Sequence, residues 1–328
     1  MTQAVPSASV IIATAGTSPR LHEVLAAVRT QADALGAEVV LARNHAQAAP
    51  AGAAHDAGHA ASHDALADQV LFEPTVGKSH ALNRAVRAAR GPVCAFLDDD
   101  GLPSSGWLAA LLLPFAVRDA TLAGVGGRVL PSYSMSRPPW YMRALGDRRT
   151  HFLGPLHDLG ELRLPYDASL PGDLPLGANC AYRRDLLLDV PYAADLGPNR
   201  LTGCRGGEDT LLARQLLARG YRLEYVGAAL VTHPVDPRRM TPQYVAEGYY
   251  WQGVESVRMR RALGKDVGRS RLLRMLGRYA RYRLYTPLYG VVSEAKRVRW
   301  VSRAAFARGA VDEMLHRKPM PPALAMHT

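Results

Sequence analysis

Cysteine is scarce: Cys94, Cys180 and Cys204 are the only three in 328 residues, an odd number without CxxC spacing. That excludes a disulfide framework and a zinc knuckle, and it points to a reducing, cytoplasmic compartment. Lysine is scarce too, with Lys78, Lys265, Lys296 and Lys318 alone among 40 basic residues, so arginine carries the basicity. Long hydrophobic runs are missing: the longest, Leu108 to Val117, is about half of the ~20 residues a membrane span needs. Met1 to Ser9 has neither a basic n-region nor an apolar h-region, so neither export nor a transmembrane helix is expected. What is present is 48% hydrophobic and 21% charged residues, the composition of a globular protein rather than a disordered or collagen-like one. At roughly 100–200 residues per domain, the length suits one large α/β domain with an appendage.

The net charge of +11 is unevenly placed. Residues 1–235 hold 21 Lys/Arg against 22 Asp/Glu, and residues 236–328 hold 19 against 7, giving −1 and +12. The division predicts a neutral domain over 1–235 and a basic helical extension over 236–328 whose partner is of opposite sign.

Periodicity along the first part alternates between strands and helices. Ser9 to Ala13 and Glu38 to Ala42 are short, branched apolar runs, and Gln69 to Phe72 and Val93 to Leu97 follow as strands. Arg20 to Gln31 is helical, with Ser18 as N-cap and Pro19 at its start, and Ser79 to Ala89 and Trp107 to Val117 are also helical. Gly124 to Leu130 and Leu176 to Tyr182 read as strands, Asp209 to Arg219 as a helix, and Tyr221 to Val226 and Ala229 to His233 as edge strands. Such alternation implies a largely parallel sheet. Asn44 to Asp68, rich in Ala, Gly and His, reads as a surface loop or a loose helix, and Tyr133 to Leu174 is irregular and suited to facing a substrate.

Several constellations carry chemistry. Asp98-Asp99-Asp100 follows directly on an apolar strand, where open α/β sheets place their ligands. Clustered carboxylates repel one another, so they read either as a site for a hard divalent cation or as a polar turn capping the next helix. Gly206-Gly207-Glu208-Asp209 opens a helix, and Asp209 reads as a general base poised by the helix dipole or as a plain helix cap. Lys78 follows Gly77 at a helix start, near Asn83 and Arg84, and can face a phosphate there, although the spacing of a P-loop is absent. His233 ends a strand; it is either a structural imidazole or the partner of Asp100 at a metal. His55, His59 and His63 recur every four residues, but their Ala/Gly surroundings favour a solvated loop over a metal site.

Taken together, SVIIAT, EVVLARN, GKSHALNRAVRAARGPVCAFLDDD, LGANCAYRRDLL and GGEDTLLARQLLARGYRLEYV, in this order over residues 7–235, resemble the bacterial family 2 glycosyltransferases. The resemblance implies an α/β protein of the GT-A fold: a Rossmann-like, mostly parallel sheet flanked by helices, here with a C-terminal helical, Arg-rich extension. It implies an inverting, nucleotide-sugar-dependent transferase in which the aspartate cluster is the DxD-type motif. Asp98 then lies near the nucleotide ribose with Asp99 beside it, and Asp100, with His233, binds Mg²⁺ or Mn²⁺ on the donor diphosphate. Asp209, with Glu208 beside it, supplies the base, and Ala13, Thr14, Asn44 and Lys78 fall on the donor side. One departure stands at the end of the second strand, where family members carry an acidic residue toward the base and this chain has Arg43-Asn44. The implied acceptor is a glycan, a lipid-linked glycan or a small molecule.

In the basic extension, Leu272, Leu276 and Tyr279 share a helical stripe while Arg271, Arg274, Arg278 and Arg281 cover much of the rest. This reads as an interfacial helix on an anionic membrane surface or as a packed helix with a solvated arginine face. Tyr249-Tyr250-Trp251-Gln252 reads as an acceptor-stacking patch or as core. Two rival functions fit less well. A sugar-phosphate nucleotidyltransferase would carry a Gly-rich, Arg-containing phosphate loop that is missing from Ala13 to Arg20. A protein binding nucleic acid through the basic tail would carry a recognition signature, and none is present, so no nucleic-acid partner is expected.

Overall fold

The computed structural model describes residues 6–44, 62–117, 119–136, 156–167, 174–290 and 294–317, the side chains of 286–290 and 294 excepted. His55, His59 and much of the Tyr133–Leu174 segment lie outside the described residues. The chain divides into two compact units, the first formed by described residues within Met1–Ser132, Pro155–Ala194 and Glu208–Pro234. The second draws on Tyr133–Gly154, Asp195–Gly207 and Val235–Thr328.

The first unit is a mixed sheet with helices on both faces. Strands β1 (Ser9–Thr14), β2 (Glu38–Asn44), β3 (Gln69–Glu73) and β4 (Val93–Asp98) form its parallel half in the order β3-β2-β1-β4. Beyond β4 lie β8 (Asn179–Arg183), β6 (Leu122–Tyr133), β9 (Arg222–Val235) and β5 (Leu102–Pro103), while β7 (Arg163–Pro165) also pairs with β9. β8 runs antiparallel to both β4 and β6, and β5 and β7 run antiparallel to β9. The helices are α1 (Leu21–Leu35), α2 (Lys78–Ala88), α3 (Trp107–Ala116), α4 (Arg184–Asp189) and α5 (Glu208–Ala218).

Strand alternation decides which side chain enters which core. Val10, Ile12, Val39, Leu41, Ala95 and Leu97 join the layer under α1 and α3. Ile11, Val40, Ala42, Cys94 and Phe96 point the other way, toward α2, α4 and α5. Being buried on both faces, these strands read as continuous apolar runs rather than as alternating ones.

Three details depart from sequence expectation. Helix α1 begins at Leu21, later than expected, with Arg20 at the capping position and no side-chain cap; the Ser18 hydroxyl accepts from the Arg20 amide at 3.3 Å and donates to the Asp99 carbonyl at 2.8 Å. Tyr221 to Val226 and Ala229 to His233 are one strand, β9, which lies inside the sheet rather than at its edge. The two-residue strand β5 has no periodicity to reveal it in sequence, yet its pairing of Leu102 with Thr232 fixes where the aspartate cluster ends.

The second unit is helical, with α6 (Pro242–Ala262), α7 (Arg269–Gly290) and α8 (Glu294–Met314). Val257 of α6, Met275 of α7, and Ala310 and Val311 of α8 form a common core, with Leu272 packed against it. Tyr250 and Trp251 are buried, and the Tyr250 hydroxyl meets Asp312 Oδ2 at 3.0 Å, so these two aromatics belong to the core of this unit. Among the described residues, no helix is long and apolar enough to cross a membrane.

Candidate active site at the carboxyl ends of β1 and β4

β1 is flanked by β2 on one side and β4 on the other, so the chain reverses its direction of travel across the sheet between β1 and β4. The ends of two strands diverge at such a switch point and leave a crevice. Register sets what lines it: Ala13 lies opposite Asp98, so the next residues, Thr14 and Asp99, face each other. Thr14 Oγ1 donates to Asp99 Oδ2 at 2.5 Å and accepts from the Gly16 amide at 2.9 Å. Burial pushes the Asp99 carboxyl up to about 6 against the pull of the Thr14 hydroxyl, with the charges of Asp100 and Asp98 adding to the rise.

Asp98 and Asp100 point elsewhere. The β5–β9 pairing turns the chain after Asp100 alongside Thr232, which brings in His233. His233 Nε2 lies 3.0 Å from Asp100 Oδ1 and 3.4 Å from Asp98 Oδ2. Asp98, Asp100 and His233 each offer one ligand atom within 4.8 Å of the others. His233 Nδ1 lies 2.9 Å from the Pro234 carbonyl. A carbonyl only accepts, so Nδ1 carries the hydrogen and Nε2 turns its lone pair toward the two carboxylates, as in an oriented metal-binding imidazole. Two carboxylate oxygens and one imidazole nitrogen suit Mg²⁺ or Mn²⁺, with Mn²⁺ better matched to the nitrogen. Without a cation the same position is filled by a proton: burial opposes it, but the hydrogen bonds to Asp100 and Asp98 win and His233 is pushed up to about 9.

The second acidic motif converges on the first through Lys78. Gly77, at φ +138°, makes the turn into α2, and the Lys78 ammonium then bonds to Asp98 Oδ1. Burial works against that ammonium, but the charge of Asp98, with that of Asp209 adding to it, outweighs burial and holds its proton more firmly than in an ordinary lysine. Asp98 is held in turn well below the usual carboxylate range, because Lys78 and His233 overcome the effect of burial.

Glu208 and Asp209 occupy the first turn of α5 and differ sharply. Glu208 is buried, its Oε2 has no hydrogen-bond partner among the described residues, and burial together with the neighbouring Asp209 charge pushes its carboxyl up, toward the neutral acid. Asp209 is half-buried; its Oδ2 accepts from the Gly177 amide at 2.8 Å and its Oδ1 from the Thr210 amide at 2.6 Å. Its carboxylate is therefore oriented by backbone donors from two elements.

Of the sequence candidates, Thr14 bonds to Asp99, Lys78 to Asp98, and His233 meets Asp98 and Asp100, with Ala13 beside them in β1; Asp209, next to Glu208, acts on Lys78 through its charge. Asn44 is set apart: its amide donates to the Glu73 and Thr75 carbonyls at 3.0 and 2.8 Å and accepts from the Gly77 amide at 2.8 Å, bracing β2 to the turn before α2. Neighbouring Arg43 is paired with Asp64 at 2.6 Å. Sequence reasoning missed two things. Asp98 shares the His233 cluster with Asp100, and Gly177 orients Asp209; the latter was foreshadowed only by LGAN, whose Asn179 also ties Trp107 to β6 and β9.

Residues 6–260 match the profile described as Glycosyltransferase like family 2. Among characterised proteins, the succinoglycan biosynthesis protein ExoM of Rhizobium meliloti is 27% identical over 242 residues, which is 73% of this chain and 71% of that protein. The mannosyltransferase PcManGT of Pyrobaculum calidifontis, solved with GDP-Man and Mn²⁺, superposes with a TM-score of 0.56 at 18% identity, covering 95% of this chain and 88% of that one. Glucosyl-3-phosphoglycerate synthase of Mycobacterium tuberculosis, solved with Mn²⁺, UDP and phosphoglyceric acid, has a TM-score of 0.50 at 18% identity and covers 80% and 81%. These likenesses establish the expected GT-A architecture. Since the profile spans most of its length, the chain belongs to the glycosyltransferase-like family 2.

Proposed function

We propose that the protein transfers a sugar from a nucleotide-sugar donor to an acceptor hydroxyl, with inversion and with a divalent cation held by Asp100, His233 and Asp98. The observation that carries this reading is the convergence of Asp98, Asp100 and His233 at the switch point of the sheet. A bound Mg²⁺ or Mn²⁺ would neutralise the negative charge gathering on the leaving diphosphate. Asp209, its carboxylate oriented by the Gly177 and Thr210 amides, receives the proton of the acceptor hydroxyl. The new bond forms from the acceptor oxygen to the anomeric carbon as the bond to the diphosphate oxygen breaks in line, so configuration inverts in one step. Glu208, kept neutral by burial, adds no second negative charge beside the base. Lys78 pins Asp98 and places a cation beside the diphosphate position. Ala13, Thr14 and Asp99 border the nucleoside, and Arg43, at the end of β2, is paired with Asp64.

The acceptor belongs to the class of glycans, lipid-linked glycans or small hydroxylic molecules. The cytoplasm is the proposed compartment, in keeping with the free, buried thiols of Cys94, Cys180 and Cys204. Thermal unfolding with UDP, GDP, dTDP and CDP and their sugars, with and without Mn²⁺, tests the reading. One nucleotide should stabilise the wild type in a Mn²⁺-dependent manner and fail to stabilise Asp100→Ala. Absence of any stabilisation across the panel would overturn it.

A further inference from the structure

Helix α7 has a buried face and an opposite, exposed one. Met275 is buried and Leu272 packs beside it against α6 and α8, while Tyr282 meets Trp300 of α8 edge-on at 5.2 Å. The stripe expected from sequence is thereby split: Leu272 faces inward, Tyr279 is half-buried and Leu276 is exposed. On the far side, Leu273 is 67% and Leu284 69% exposed, and with Leu276 and Ala280 they recur at spacings of three and four along one face. Exposed arginines border this stripe, Arg274, Arg278 and Arg281 on one flank and Arg283 on the other, while Arg269, one turn before Leu273, closes its N-terminal end. Arg269–Gly290 contains no acidic residue, and among the described residues no carboxylate pairs with any of these five arginines. The positive field also reaches inward: burial and the charges of Arg260, Arg274 and Arg278 all weaken the hold of Arg271 on its proton.

Single exposed leucines are ordinary, but an apolar stripe framed by uncompensated arginines is not. We propose that this face of α7 docks on an anionic lipid bilayer, with the helix lying in the plane of the interface. The proposal stands independently of the transferase reading. Leucines entering the acyl boundary and arginines meeting lipid phosphates satisfy both halves of the face at once. A nucleic-acid backbone would satisfy the arginines and leave the leucines in water. A second copy of the same face would bring arginine rows against each other.

The full-length chain is sedimented with phosphatidylcholine vesicles with and without phosphatidylglycerol, alongside Leu273→Ser/Leu284→Ser, Arg274→Gln/Arg281→Gln and, as a control in the other unit, Arg219→Gln. The wild type and the control should bind only the anionic vesicles, and each double variant should lose about tenfold or more in partitioning while keeping its circular dichroism spectrum and melting temperature. Because all four substituted positions in α7 are exposed, folding is not at stake. The inference is overturned if phosphatidylglycerol makes no difference, if the serine variant binds as well as the wild type, or if sedimentation velocity shows a dimer that the serine variant dissociates.

Discussion

Glu38 lies buried at the start of β2 and is met by four donors: Ser9 Oγ at 2.6 Å, the Arg90 amide at 2.5 Å, Arg90 Nε at 2.7 Å and Gln69 Nε2 at 2.9 Å. Burial alone would raise its carboxyl, but these hydrogen bonds outweigh it and hold the group below the ordinary range. A depressed folded value means that the stabilisation is present above the unfolded pKa of about 4.3 and fades as pH falls through the folded value. Glu38→Gln should therefore cost about 1–3 kcal/mol at pH 7, and urea midpoints should show the difference from wild type shrinking as the medium is acidified. Asp209→Asn addresses the site itself. The amide cannot accept the acceptor's proton, so turnover should fall about 10²–10⁴-fold while Mn²⁺-dependent nucleotide binding persists, which single-turnover assays and thermal unfolding can separate. The residue types were legible here because clustered carboxylates at a strand end are costly without a use. Which oxygen meets which partner was not legible, and Asn44 shows why: its amide braces β2 to the turn before α2, a contact spanning 29–33 residues that no local pattern records.

At the scale of elements, the alternation of strands and helices could be read from apolar runs, whereas pairing could not. β5 is two residues long, yet its register with β9 brings His233 to Asp100. β9 looks like two strands in sequence because Gly227 and Ala228 interrupt the apolar pattern, although the ladder continues through them. Glycine has a comparable hidden role where α6 crosses α8. A methyl group at Gly253 would run into the Phe306 carbonyl, and one at Gly309 into the Tyr250 carbonyl, so each helix lends the other a bare backbone. Gly253→Ala should separate the helices and destabilise the helical unit by about 1–3 kcal/mol despite its better helix propensity, a loss that thermal unfolding would detect.

On the scale of the whole chain, the division into units does not follow the sequence in one cut. Asp195–Gly207, which leads directly into Glu208, groups with the C-terminal helices. Glu255 of α6 accepts from the Arg205 and Gly206 amides at 3.0 and 3.1 Å, Arg205 pairs with Glu247 at 2.9 Å and stacks over Tyr244, and Gly203, at φ +81°, lies against the Trp251 ring. A chain ending at Val235 removes every one of these partners. Trypsin should then cut at Arg200 and Arg205 faster than in the full-length protein, as mass spectrometry of the fragments would show.

The sequence by itself determined the α/β class, the apolar strands, the two acidic motifs and the concentration of positive charge after residue 235. All of these rest on composition and short-range periodicity, which act between neighbours along the chain. Tertiary structure alone decided that His233 joins Asp98 and Asp100, that Lys78 bonds Asp98, that Glu208 is buried while Asp209 is oriented by Gly177, and which face of α7 meets solvent. Each depends on strand register or helix packing between distant segments. One residue of slip in a strand, or a quarter turn of a helix, would send the same side chains elsewhere without changing any local pattern.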